Sequence, residues 1–117
     1  MERIYRAAIN TWNGLVAAAR SEQAFREEIV MLVLAVPLAF VVTAGGLHAL
    51  ILIAMVLMVM VVELLNTAVE KLSDFISPGH HEAIGRIKDM GSAAVGLAIL
   101  AAVLVWLEAI ATRLGIL

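Results

Sequence analysis

Glu63-Leu64-Leu65-Asn66-Thr67-Ala68-Val69-Glu70-Lys71 closes a long apolar run, and its reading decides the rest of the chain. Ala49 to Val62 carries no charge and holds Met55, Met58 and Met60, which read as adaptable packing filler. Glu63, Asn66, Glu70 and Asp74 then follow at spacings of three, four and four. On a helix of 3.6 residues per turn they form one stripe, with Glu63 lowest. A carboxylate in hydrocarbon costs roughly 2.5–3.5 kcal/mol at the centre of a span and less near the interface. Glu63 therefore reads as a functional group rather than an accident. The bland reading is that it pairs with Lys88 or reaches up to water.

Composition supports a membrane setting. Of the 117 residues 63% are hydrophobic and 15% are charged, too little polar surface for a water-soluble globule. The net charge of −2 gives no reason to expect nucleic acid, and without cysteine there is neither a disulfide framework nor a zinc-thiolate site. The opening residues, Met1-Glu2-Arg3-Ile4-Tyr5-Arg6, do not read as a signal peptide.

Outward from the central stretch, the chain divides into four helical segments of a single membrane domain, 1–117. Residues 1–28 hold eight of the 18 charged side chains. Ile4, Ala8, Trp12, Leu15 and Ala19 recur at helical spacing, so this is expected to be an amphipathic surface helix with Tyr5 and Trp12 at headgroup depth. Ser21 is a fair N-cap for the next helix. The first span is expected over 29–47, uncharged from Ile29 to Gly46 and containing Pro37. That uncharged run would cover roughly 27 Å as helix. Gly45-Gly46 makes a tight hairpin turn, and the second span with its stalk is expected over 49–75. Ser77-Pro78-Gly79 breaks it. The third span is expected over 82–112. It opens on the small residues Gly91-Ser92-Ala93-Ala94, and Ser92 with Gly96 gives the spacing that lets membrane helices approach closely.

Arg3, Arg6, Arg20 and Arg26 precede the first span, and Lys71, Arg86 and Lys88 lie between the second and third. The positive-inside rule then places the N-terminus and the second loop in the cytoplasm. Glu22, Arg26, Glu28, Glu63, Asn66, Glu70, Lys88 and Asp89 share that face. Near the hydrocarbon boundary Glu63 suits a general base toward a lipid hydroxyl. Glu22 and Glu70, nearer water, suit a magnesium-nucleotide, because such an ion takes one or two protein carboxylates with phosphate oxygens and waters. Lys88 and Arg26 suit phosphate charge, and Gly91 with Ser92 would let phosphate approach backbone. No Gly-rich nucleotide loop and no His-Glu-x-x-His motif is present. His80-His81 reads first as a solvated pair, and His81 suits a nucleotide contact.

Three blocks carry a resemblance over nearly the whole chain: Ala24-Phe25-Arg26-Glu27-Glu28, Glu63-Leu64-Leu65-Asn66-Thr67-Ala68-Val69-Glu70 and Gly85-Arg86-Ile87-Lys88-Asp89-Met90-Gly91-Ser92-Ala93-Ala94-Val95. Together they resemble the prokaryotic diacylglycerol kinase family. The resemblance implies a homotrimer in the bacterial inner membrane, each subunit an all-α unit of one amphipathic surface helix and three transmembrane helices. It implies transfer of the ATP γ-phosphoryl group to the hydroxyl of diacylglycerol, giving phosphatidic acid, with Mg²⁺. Glu63 falls on the family's base, and Glu22 and Glu70 on its metal-nucleotide carboxylates. Asn66, Lys88 and Asp89 fall on other polar site positions, while Arg3, Glu28 and His81 fall on lesser contacts to nucleotide or substrate. Glu28, Asn66 and Ser92 thus join Glu63 as expected lipid-substrate contacts. Asn10 departs from the pattern, standing where an aromatic residue is expected beside adenine. The chain also begins slightly later than family members often do. A sister branch that phosphorylates undecaprenol shares the Glu63 block, but Phe25-Arg26-Glu27-Glu28 and Asp89-Met90-Gly91-Ser92 lean toward diacylglycerol. The competing class is a non-enzymatic membrane protein or transporter subunit; a proton carrier would want its carboxylate near mid-membrane rather than in a cluster at one face.

Overall fold

The computed structural model describes residues 1–117. They form four helices, α1 (Glu2–Ser21), α2 (Gln23–Val42), α3 (Gly46–Ile76) and α4 (Glu82–Arg113), and nothing else regular.

The first break comes earlier than the expected end of the surface helix at residue 28. Glu22 is extended, with φ −118° and ψ 114°, so Gln23 to Glu28 form the polar opening of α2. Two side chains explain the position. Ser21 does not cap α2; its hydroxyl donates back to the Ala17 carbonyl inside α1. Arg26 turns across the break, and its Nη1 donates to the carbonyls of Ala19 and Arg20 at 2.9 and 3.2 Å. Those are orphan acceptors at a helix end, and a cation there also suits the helix dipole.

Pro37 lies within α2. The helix ends at Thr43, whose hydroxyl donates to the Ala39 carbonyl and accepts from the Gly45 N–H. Gly45 and Gly46 take φ of 91° and 61°, a region that suits residues without Cβ. That permits the sharp reversal into α3. By rise per residue α3 and α4 are about 46 and 48 Å long. Both are long and apolar enough to cross a membrane. The uncharged helical part of α2, from Ile29 to Val42, is shorter, because the glycine turn takes the end of the run and Arg26-Glu27-Glu28 occupy the start.

The helices meet at two levels. Near the glycine turn Ala39, Ala49, Leu52 and Ala109 pack from α2, α3 and α4, with Val105 and Trp106 against them. Three alanines let the backbones come close. The Trp106 indole N–H donates to the Leu52 carbonyl at 3.1 Å. His48 meets Glu108 at 3.3 Å, and Arg113 Nε donates to the Val41 carbonyl. At the other end Phe25 is buried against Ala18 of α1 and Met60 of α3. Only 11 of the 117 residues are buried, while Leu34, Leu50, Leu97 and Leu104 face outward. So much outward apolar surface requires lipid or further protein around it.

Candidate functional site

The antiparallel α2–α3 hairpin brings the polar start of α2 beside the middle of α3, and Phe25 against Met60 sets that register. Glu22, in the α1–α2 break, and Glu28, on the second turn of α2, are thereby carried to the level of Glu63. The Glu63 carboxyl lies within electrostatic reach of Glu70 and Glu22, and Glu28 within reach of Glu63 and Glu27. Five acidic side chains from two helices and one break thus share one end of the bundle. Glu63 is half-buried and makes no ion pair; the Lys88 side chain, its expected partner, is bonded to Asp74 instead.

Asn66 holds the middle of the stripe. It is buried, and its amide donates to Glu70 Oε1 at 2.9 Å. Its Oδ1 has no hydrogen-bond donor and lies against Gly91, where a Cβ would collide with it. Gly91 is thus occupied by the Asn66 side chain, which corrects the expectation that it lies open to phosphate. Ser92 beside it is exposed.

Glu28 sits just before the uncharged run. One carboxylate oxygen is buried without a hydrogen-bond partner. Burial first, then the charges of Glu63 and Glu27, raise its pKa to about 7. Below Glu28 lies a cavity of about 420 Å³ between α2, α3 and α4, lined among others by Met31, Leu38, Val59, Val103 and Trp106. Its only polar lining side chain besides the Trp106 indole is Glu28. A second hollow, about 610 Å³, separates α1 from α3. Asn10, Thr11, Ser21, Thr67 and Lys71 line its polar side.

The remaining expected residues divide. Lys88 bonds Asp74 across the α3–α4 interface, and Asp89 beside it is exposed. His81 is the N-cap of α4; its Nδ1 accepts the Ala83 N–H, which leaves Nε2 as the donor. Arg26 is committed to the end of α1. Arg3 is not brought to the cluster, since it lies 19 positions along the helix from Glu22, about 28 Å. Sequence pattern assigns Lys71 no role in the site. The structure places its Nζ 3.6 Å from Glu22 Oε2; the one signal available was a cation directly after Glu70.

No group of three or more acidic or imidazole side chains is close enough to hold a metal ion. Glu22 and Glu70, both within electrostatic reach of Glu63, are the kind of carboxylates needed by an ion that arrives with most of its own ligands, as Mg²⁺ does on a nucleotide. What converges here is a set of carboxylates at the end of an apolar bundle, with one polar hollow and one apolar cavity flanking it.

The prokaryotic diacylglycerol kinase family model matches residues 9–110. The chain belongs to that family. It is 47% identical over 104 residues to a diacylglycerol kinase of Escherichia coli (strain K12), an alignment covering 89% of this chain and 85% of that one. It is 41% identical over 93 residues to the Haemophilus influenzae diacylglycerol kinase, covering 80% and 79%. Identity to the Pseudomonas aeruginosa diacylglycerol kinase is 35% over 106 residues, covering 91% and 86%. Family membership accounts for a lipid-facing chain with an acidic polar end.

Two outcomes test this geometry. Gly91→Ala must push Asn66 off its place, breaking the hold on Glu70 at a cost of about 1–3 kcal/mol, the range for overpacking; denaturation in detergent micelles measures it, and unchanged stability would contradict the contact. Glu28 keeps its proton between pH 4.5 and about 7, where an unfolded glutamate loses it, so its burial supports the fold least once pH rises through about 7. In Glu63→Gln one like charge is gone. The Glu28 titration, followed by NMR of its side-chain carboxyl, then moves down while staying above 4.5 because burial remains the larger cause.

Proposed function

We propose that this protein is an ATP-dependent diacylglycerol kinase acting at the cytoplasmic face of a bacterial inner membrane. The observation that carries the proposal is the convergence of Glu22, Glu63 and Glu70 at one end of a lipid-facing bundle, in a chain whose relatives are named diacylglycerol kinases. In this reading α2, α3 and α4 all cross the membrane and α1 lies on its surface. The charged start of α2 then stands at the headgroups.

Glu63, at the lower end of the stripe, accepts the proton of the lipid hydroxyl. That oxygen attacks the γ-phosphorus of ATP in line, the bond to the β-phosphate oxygen breaks, and ADP leaves. The product is phosphatidic acid. Glu22 and Glu70 hold the metal-nucleotide; Mg²⁺, when bound, neutralises phosphate charge. Asn66 keeps the Glu70 carboxylate turned toward the site and lies level with the lipid hydroxyl. Lys88, Asp89 and His81 approach the nucleotide from α4, and Asn10 approaches it from the hollow beside α1. Glu28 and Ser92 contact the lipid headgroup, with Glu28 able to donate a hydrogen bond while protonated. The apolar cavity beneath Glu28 suits an acyl chain.

One subunit leaves much of this site open, and Arg3 lies far from its own Glu22. A homotrimer with sites shared between subunits resolves both facts. It also covers outward apolar surface. A transporter reading fits less well, because the carboxylates gather at one end.

Labelled ATP offered with diacylglycerol and undecaprenol should yield phosphatidic acid as the main product. Glu63→Gln should lower kcat by at least about 10²-fold, the scale of a positioned general base, while its helical content stays intact by circular dichroism. Preferential labelling of undecaprenol would reassign the acceptor, and an active Glu63→Gln enzyme would remove the base. Cross-linking and sedimentation in detergent should give a trimer, with phosphoryl transfer absent from monomers; a fully active monomer would rule out shared sites.

A further inference from the structure

Three basic side chains approach the acidic end, and two of them have structural work. Arg26 Nη1 satisfies the carbonyls that end α1, and Lys88 is bonded to Asp74. Lys71 has neither duty. It follows Glu70 on α3, reaches across to the α1–α2 break and stops 3.6 Å from Glu22 Oε2, beyond hydrogen-bond range. Water reaches both partners, the lysine freely at 62% exposure and the glutamate in part at 29%. Lys71 is also the one charged side chain lining the hollow between α1 and α3.

We propose that Lys71 is a phosphate-binding residue that rests on Glu22 until a divalent cation takes its place, and then turns to the phosphates of the incoming nucleotide. This rests on the reading of Glu22 as a metal-nucleotide carboxylate. A solvated ammonium–carboxylate pair at this separation is held weakly. A divalent ion brings twice the charge to the same oxygen and wins the exchange. The released ammonium is a compact charge on a flexible four-carbon stem, anchored one residue from Glu70. The swap exchanges one cation for another on Glu22 and adds a cation to a triphosphate. Glu22 is never left as an uncompensated charge beside Glu63 and Glu70.

This arrangement predicts effects of opposite sign from one substitution. Lys71→Met removes a competitor for Glu22 and a partner for phosphate. The full-length protein in lipid bicelles is titrated with Mn²⁺ alone, read by electron paramagnetic resonance, and separately with the Mg²⁺ complex of a non-hydrolysable ATP analogue, read by calorimetry. Lys71→Met should bind Mn²⁺ alone severalfold more tightly and the nucleotide complex about tenfold more weakly, the scale of one lost charged contact. Lys71→Arg should restore nucleotide binding to within about threefold, since it keeps the charge. If Lys71→Met leaves nucleotide affinity unchanged, or moves both affinities in the same direction, the proposal is overturned. Glu22→Gln separates the two layers. If it weakens Mn²⁺ and nucleotide binding while Lys71→Met alters neither, Lys71 alone loses its role; if Glu22→Gln alters neither, the metal reading of Glu22 fails as well.

Discussion

Like charges crowded at one end of a lipid-facing bundle are the constraint on which the rest of this structure depends. Glu63 is repelled by Glu70 and Glu22, Glu28 by Glu63 and Glu27, and Glu63 and Glu28 are partly withdrawn from water. Folding alone gains nothing from this. The protein meets the cost locally: the Asn66 amide donates to Glu70, Lys71 stands near Glu22, and the half-buried Glu28 carboxyl holds its proton up to about pH 7. Each is a partial compensation that leaves carboxylate oxygens free. The proposed cation role needs a site under-neutralised in this way, because full pairing would leave an ion nothing to bind.

The opposite end of the bundle carries the complementary duty. Ala39, Ala49 and Ala109 pack closely around Leu52, and the Trp106, His48 and Arg113 contacts tie α2, α3 and α4 together around the glycine turn. This end fixes the helices so that the acidic end need not be held by its own charges. The α2–α3 hairpin then transmits register: with the turn set at Gly45 and Gly46, Phe25 meets Met60 and Glu22 comes level with Glu63 and Glu70. Removing a methyl group from the alanine layer would therefore matter less than adding one, since close backbone approach at the turn sets distances at the far end.

Much of this was legible in the sequence because it depends on period. Spacings of three and four put Glu63, Asn66, Glu70 and Asp74 on one stripe whatever packs against it, and the uncharged runs marked the helices. Contacts between helices were not legible. That Asn66 would be buried depended on Gly91, a residue of α4 whose missing Cβ makes the room. That Lys88 would choose Asp74 over Glu63 depended on how far α3 and α4 slide past each other, which no single-helix pattern encodes. The α1 boundary was hidden because Ser21 has the look of a cap, while the deciding groups were the carbonyls it leaves to Arg26. Lys71 carried no signal because an exposed lysine after a glutamate is ordinary until a partner from another segment is seen.

With the proposed roles, Glu63 as base and Glu70 as a metal-nucleotide carboxylate, the stripe on α3 also keeps proton transfer and nucleotide binding apart. Glu63 and Glu70 are seven residues apart, about 10 Å along the helix, with Asn66 between them. A cation held at the Glu70 level would draw charge away from water, and directly beside the base it would also suppress the base's affinity for a proton. Two helical turns of separation weaken that effect. Asn66 ties Glu70 by a neutral hydrogen bond, so it orients one carboxylate without adding a charge that would perturb the other. A charged residue at position 66 would bind Glu70 more strongly and sit closer to Glu63, coupling the two proposed roles that the spacing keeps apart.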